Sequence, residues 1–97
     1  MYTATMTYHF KPEAFDTACA IWEQEVFAHA REQEGFVRMQ LLVAPPVALA
    51  IGTWKSNADA RRFMETGVFR ALMQKLDAMI AKAPEQKIWD LKLYAEK

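Results

Sequence analysis

The chain holds one cysteine, one serine, three glycines and four prolines in 97 residues. Cys19 alone cannot close an intrachain disulfide, so packing has to hold the fold. Ser56, the only serine, sits in Trp-Lys-Ser-Asn without the glycines that shape a nucleophile elbow. Neither charge is in excess: 12 basic residues face 12 acidic ones, for a net charge of zero. That balance excludes the electrostatic footprint of a nucleic-acid binder, because phosphate neutralisation supplies most non-specific affinity. No apolar run approaches the ~18 residues of a membrane span, and the longest is interrupted by Pro45-Pro46. The N-terminal stretch alternates apolar and polar residues and lacks both basic residues and a cleavage site, unlike a signal peptide. These absences predict a soluble cytoplasmic protein with no membrane or nucleic-acid partner.

What is present is grease and periodicity. The apolar fraction is 53%, above the roughly 45–50% of ordinary domains, in a chain long enough for one domain spanning 1–97. Residues 1–10 alternate, with Tyr2, Ala4, Met6, Tyr8 and Phe10 on one side and Thr3, Thr5, Thr7 and His9 on the other, as a strand requires. Pro12 and Glu13 open a helix whose stripe runs Phe15, Ala18, Cys19, Trp22, Val26, His29 and Ala30 and stops at Gly35. Two further strands, 36–43 and 47–55, flank the two prolines as a hairpin. Ser56 and Asp59 form an imperfect capping box for a short helix from Asn57 to about Glu65. After Gly67 a second stripe carries Phe69, Leu72, Met73, Leu76, Met79 and Ile80, with Pro84 as its end and Ile88 to Tyr94 as the last strand.

The order β-α-β-β-α-β predicts an α+β, ferredoxin-like domain: a four-stranded antiparallel sheet with helices on one face. Tyr2, Met6, Tyr8, Phe10, Met39, Leu41, Trp89 and Leu91 are expected beneath the helices. The other face is expected to be polar, carrying Arg38, Gln40, Asp90 and Lys92 beside the threonines and His9. A bare sheet face on so apolar a chain points to a second copy as its cover, hence a homodimer.

Gly35-Phe36, Trp54-Lys55-Ser56 and the run from Ala58 through Phe63-Met64 to Gly67-Val68-Phe69 resemble the antibiotic biosynthesis monooxygenase family of dimeric α+β barrels. The resemblance spans nearly the whole chain and matches its strand order. It implies a homodimer whose sheets close into a barrel. Family members include cofactor-free monooxygenases acting on polycyclic phenols and haem-degrading enzymes. The haem-degrading branch uses an Asn on the first strand, a Trp nine residues after the W-x-S Trp and a His ten further on. Here Thr5 or Tyr8, Phe63 and Met73 stand at those positions, so the resemblance implies no haem and no other cofactor.

Cofactor-free oxygenation needs an apolar pocket, one base and a donor for the substrate anion, because triplet oxygen must take its electron from the substrate. His9 is the candidate base, with Arg38 and Tyr8 as anion-holding donors and Met39, Trp54, Phe63, Phe69 and Met73 as pocket walls. His9 also reads as a solvent- or interface-facing strand residue, and Trp54 as core. His29 reads as a hydrogen-bonded boundary histidine and Cys19 as a small buried hydrophobe. Two histidines twenty residues apart make no zinc site. The third strand, with no basic residue before Lys55, does not suit an RNA-recognition sheet. Two functions remain: a cofactor-independent monooxygenase of a small aromatic, phenolic or quinol compound, or a non-catalytic dimeric binding or scaffold domain.

Overall fold

The structure, a computed structural model, describes residues 1–97. Strand β1 (Tyr2–Phe10) leads into a 3-10 turn (Pro12–Ala14) and helix α1 (Phe15–Trp22), which continues through a π-helical segment (Glu23–Phe27) into the short α2 (Ala28–Ala30). Strands β2 (Phe36–Ala44) and β3 (Val47–Trp54) form the expected hairpin around Pro45-Pro46. Helices α3 (Asn57–Met64) and α4 (Val68–Leu76) follow, then a 3-10 turn (Asp77–Met79) and β4 (Ile80–Asp90). The sheet order β2-β3-β1-β4, antiparallel throughout, is the ferredoxin-like arrangement that the element order predicts.

The π-helical segment has a packing consequence. Trp22, Val26 and Ala30 are all buried at steps of four, and in a regular α-helix each such step turns the side chain about 40° further round. The wider π turn between them takes up that drift and keeps all three facing the sheet. The core joins this ladder to Tyr8 and Phe10 of β1, Ala48, Ala50 and Trp54 of β3, and Ala60, Phe63, Val68, Leu72 and Leu76 of the later helices. Ser56 caps α3 as its sequence suggests: its Oγ accepts from the Asp59 amide at 3.2 Å and donates to the Asp59 carboxylate at 2.9 Å.

Two expectations are corrected. The last strand begins at Ile80, not Ile88, so Met79 and Ile80 lie beyond the helix and Pro84 lies inside a strand. Proline is tolerated there because β4 is an edge strand and Pro84 falls where its register against β1 slips between Thr7 and His9. The second correction concerns the sheet faces. Thr3 pairs with Trp89 and Tyr2 with Asp90, and directly paired residues share a face. Trp89 therefore lies on the open face and Asp90 on the helix side, the reverse of what hydrophobicity suggests. Leu91 and Lys92 lie past the strand end. Trp89 is held where it is by its indole N–H, which donates to Thr5 Oγ1 at 2.8 Å, and by Lys87, 4.2 Å from its ring centroid.

The open face is accordingly mixed rather than polar. Thr3, Thr5, Thr7 and His9 pair with Thr53, Ile51, Leu49 and Val47 of β3, and β2 adds Arg38, Gln40 and the exposed Leu42. At one end the chain beyond β4 reaches this face, where the Arg38 guanidinium lies 5.3 Å from the Tyr94 ring centroid.

Candidate functional site

Between the helix-covered face of the sheet and the helices lies a cavity of about 50 Å³. Twelve of its 15 lining residues are hydrophobic. An aromatic chain builds one wall: Phe36, Trp54, Phe63 and Phe69 stand edge to face or tilted in succession, with centroids 5.7, 5.1 and 5.9 Å apart. Of these, Trp54, Phe63 and Phe69 line the cavity, and Met39 closes in beside them. Met39 can lie so close because β3 carries Gly52 opposite it. A Cβ there would stand 3.1 Å from the Met39 methyl and 3.5 Å from Trp54 Nε1. Met64 and Gln86, both exposed, form the rim.

The far wall comes from β1 and the first helix. Strand parity sends Tyr8 inward while its neighbour His9 points to the opposite face. Trp22 and Val26 reach the cavity from the stretch where α1 passes into the π-helical segment. Tyr8 and Trp22 are 1% and 2% exposed, and Tyr8 Oη and Trp22 Nε1 make no well-formed hydrogen bond beyond the approach of the indole N–H to the phenol oxygen. Burial pushes the Tyr8 phenol up to about 12, opposed in part by the indole N–H of Trp22. Tyr8 is thus a neutral donor at physiological pH, not a base.

The structure brings five of the eight expected site residues to this cavity: Tyr8, Met39, Trp54, Phe63 and Phe69. Met73 does not line it, since α4 turns Leu72 and Leu76 inward and leaves Met73 half-buried one position round the helix. His9 and Arg38 lie on the open sheet face, where β1 and β2 place their odd-numbered and even-numbered side chains respectively. The bulge between Phe36 and Arg38 fixes that phase. His9 Nε2 meets Glu85 Oε1 at 2.9 Å, with Lys82 at 3.3 Å from the same oxygen. The hydrogen bond from His9, reinforced by Lys82, holds the Glu85 carboxyl below its ordinary range. His29 Nδ1 donates to the Glu25 carbonyl at 2.8 Å. Burial, with Asp16 second, raises the Cys19 thiol, which keeps it protonated and unreactive.

Trp22, Met6, Met64 and Gln86 were not singled out by the sequence as pocket residues. Trp22 sits in a stripe of core residues, and nothing in its spacing marks it as the one set against the Tyr8 phenol. No lining residue is Asp, Glu, His, Lys, Arg or Cys, and the chain holds no group of three or more His, Cys, Asp or Glu side chains able to hold a metal. No helix is long and apolar enough to cross a membrane.

No family model and no curated protein matches this sequence. Solved structures do. A structure named antibiotic biosynthesis monooxygenase superposes with a TM-score of 0.82 at 20% identity, covering 96% of this chain and all of that one. A conserved protein of Methanosarcina mazei Go1 gives 0.83 at 15% identity, covering 94% of this chain and 92% of that one. The monooxygenase from the gene ActVA-Orf6 of Streptomyces coelicolor, solved with Nanaomycin D, gives 0.79 at 15%, covering 99% and 91%. From end to end this chain has the fold that solved antibiotic biosynthesis monooxygenases share.

Proposed function

We propose that this protein is a cofactor-independent monooxygenase of a small aromatic, phenolic or quinol compound, bound in the cavity between sheet and helices. The observation that carries the reading is an apolar, aromatic-walled cavity lined by the buried Tyr8 phenol, with the Trp22 indole N–H set against the phenol oxygen. The fold shared with a monooxygenase solved with Nanaomycin D supports it.

The chemistry follows from the residues present. A ring of substrate size needs more than the resting cavity, because ligand pockets run to roughly 300–1,000 Å³. Met6, Met39 and Met64 are the unbranched side chains that yield to it. The substrate, as an enolate or phenolate, reduces oxygen directly. For a ring methylene the balance is CH2 + O2 → C=O + H2O, so no external reductant enters. Tyr8, polarised by the Trp22 indole N–H at its oxygen, donates to the oxygen on which negative charge develops, and the apolar walls exclude water. The proton leaves towards solvent past the Met64–Gln86 rim, since no base lines the cavity.

Oxygen uptake over a panel of anthrones and hydroquinols tests this, with 18O2 as label. The expected result is one O2 consumed and one labelled oxygen incorporated per product. Uptake no faster than with heat-denatured protein rejects it. The lack of a titratable base in the cavity favours, as the second reading, a non-catalytic binding domain that takes the same aromatic ligands.

We further propose a homodimer joined through the open sheet faces. Trp89 and Leu42 stand exposed there beside Leu49 and Ile51, more apolar surface than a sheet facing water alone would keep.

A further inference from the structure

A second cavity, of about 480 Å³, lies between the first helix and the edge strand β2, and that volume is within the range of ligand sites. Asp16, Ala20, Glu23 and Phe27 line it as one helical stripe, at steps of four, three and four residues. Phe27, Trp22 and Leu41 of β2 give it an apolar floor. Asp16 and Glu23 are its only charged lining residues. Both are exposed and neither enters an ion pair; the acids that do are Glu25, Glu34, Asp59 and Glu85. Burial first and the Asp16 charge second raise the Cys19 thiol, so the field of that carboxylate reaches into the groove. We infer that this groove binds a linear aliphatic diammonium ion, with one nitrogen at Asp16, the other at Glu23 and the methylene spacer over the floor between them.

The shape of the ligand follows from the spacing. The stretch from 16 to 23 sets the two acidic positions about 10 Å apart along the helix axis. That is too far for one ammonium to serve both, and no third His, Cys, Asp or Glu side chain completes a metal set. Between them the helix shows the groove only Cys19 and Ala20, which suit methylenes and offer nothing to hydroxyls. An anion would meet two like charges. Arg31, a turn beyond Phe27 and 5.7 Å from its ring centroid, stands outside the lining and pairs with neither carboxylate. The site is separate from the sheet–helix cavity, with Trp22 the one residue lining both, and does not rest on the reaction proposed there.

The test titrates 1,8-diaminooctane, 1,4-diaminobutane and 8-amino-1-octanol into 15N-labelled protein at neutral pH and low salt, following the backbone amide resonances. The expected result is that 1,8-diaminooctane shifts the amides of residues 16–27 and of Leu41, and binds at least about threefold more tightly than either other probe. That advantage should shrink as salt is raised. Asp16→Asn and Glu23→Gln should each bring 1,8-diaminooctane down to the affinity of the amino alcohol. Ala20→Arg places a guanidinium within one helical turn of both carboxylates, on an exposed position that a helix accepts, and should abolish binding while far-ultraviolet circular dichroism stays native. Equal affinity for 1,8-diaminooctane and 8-amino-1-octanol overturns the two-point site, and equal affinity for the two diamines overturns its spacing. Shifts confined to other parts of the chain, undiminished binding to Ala20→Arg, or no binding at several millimolar overturns the groove as the site. None of these outcomes bears on oxygen uptake at the sheet–helix cavity.

Discussion

Replacing Tyr8 with phenylalanine removes one oxygen from a ring that is 1% exposed and already stacked on Phe10 at 5.5 Å. The packing stays, and a buried hydroxyl with no well-formed hydrogen bond goes. Tyr8→Phe should therefore stabilise the ligand-free protein by about 1 kcal/mol, a rise of roughly 4–8 °C in melting temperature. A fall in the melting temperature would mean that the hydroxyl is satisfied in the folded state. Gain of stability with loss of activity is the pattern of a residue kept for its function. Gly52 gives a second test. A methyl there meets the flexible end of Met39 at 3.1 Å and Trp54 Nε1 at an ordinary 3.5 Å, so Gly52→Ala should change stability by no more than about 1 kcal/mol. The same methyl stands between Met39 and Trp54 and should weaken binding of an aromatic ring several-fold in a calorimetric titration. Unchanged binding would place the ring elsewhere. At this scale alternation makes Tyr8 legible as an inward-facing residue of β1. It also separates Tyr8 from His9 and Arg38, which cannot share a cavity with it across a sheet.

The turn from the first helical stretch into β2 depends on Gly35, whose φ of +81° lies in the left-handed region. A Cβ there would also overlap the Asp59 carboxyl group, which is fixed by the Ser56 cap and by Arg62 at 3.1 Å. Backbone strain and steric overlap act together, so Gly35→Ala should cost at least about 2 kcal/mol, read as a lower urea midpoint with unchanged slope. Strand β4 carries a pH dependence. Folding lowers the Glu85 pKa through His9 and Lys82, and a carboxyl lowered in this way adds stability above its unfolded value that is lost as pH falls through the folded one. Melting temperature should therefore fall more steeply below about pH 4.5 in the native chain than in Glu85→Gln. Parallel curves would show that the exposed trio contributes nothing. Elements with local punctuation were legible: the Pro45-Pro46 hairpin, the Ser56 cap and the Gly35 turn each follow from residues within a few positions, although the helix ends at Ala30 rather than at Gly35. Strand β4 was not, because Pro84 reads as a terminator unless the edge position and the bulge are known, and both are properties of the assembled sheet.

The open sheet face makes the largest demand on the molecule as a whole. Its β1 and β2 polar residues are readable by parity, but β3 brings Val47, Leu49 and Ile51 to the same face, and the long β4 brings Trp89. Those apolar residues escape notice in the sequence because a strand apolar on both sides, such as Val-Ala-Leu-Ala-Ile, has no alternation to assign. A central strand of that kind is explained if both faces of the sheet are covered, one by the helices and the other by a second copy. Sedimentation equilibrium should then give twice the 11.2 kDa chain mass at micromolar concentration. Ile51→Lys, at the centre of the face and opposite Thr5 and Gln40, should give the chain mass instead. In a monomer the new ammonium would sit in water at little cost, so Ile51→Lys should keep its far-ultraviolet circular dichroism whichever state it adopts. A monomeric native chain would remove the dimer. A dimeric Ile51→Lys chain would keep the dimer but place its contact elsewhere. Because the cavity lies on the opposite side of the sheet, affinity for an aromatic ligand such as an anthrone should be unchanged by Ile51→Lys. A loss of affinity would mean instead that closure of the two sheets holds the wall formed by Tyr8 and Met6 in place.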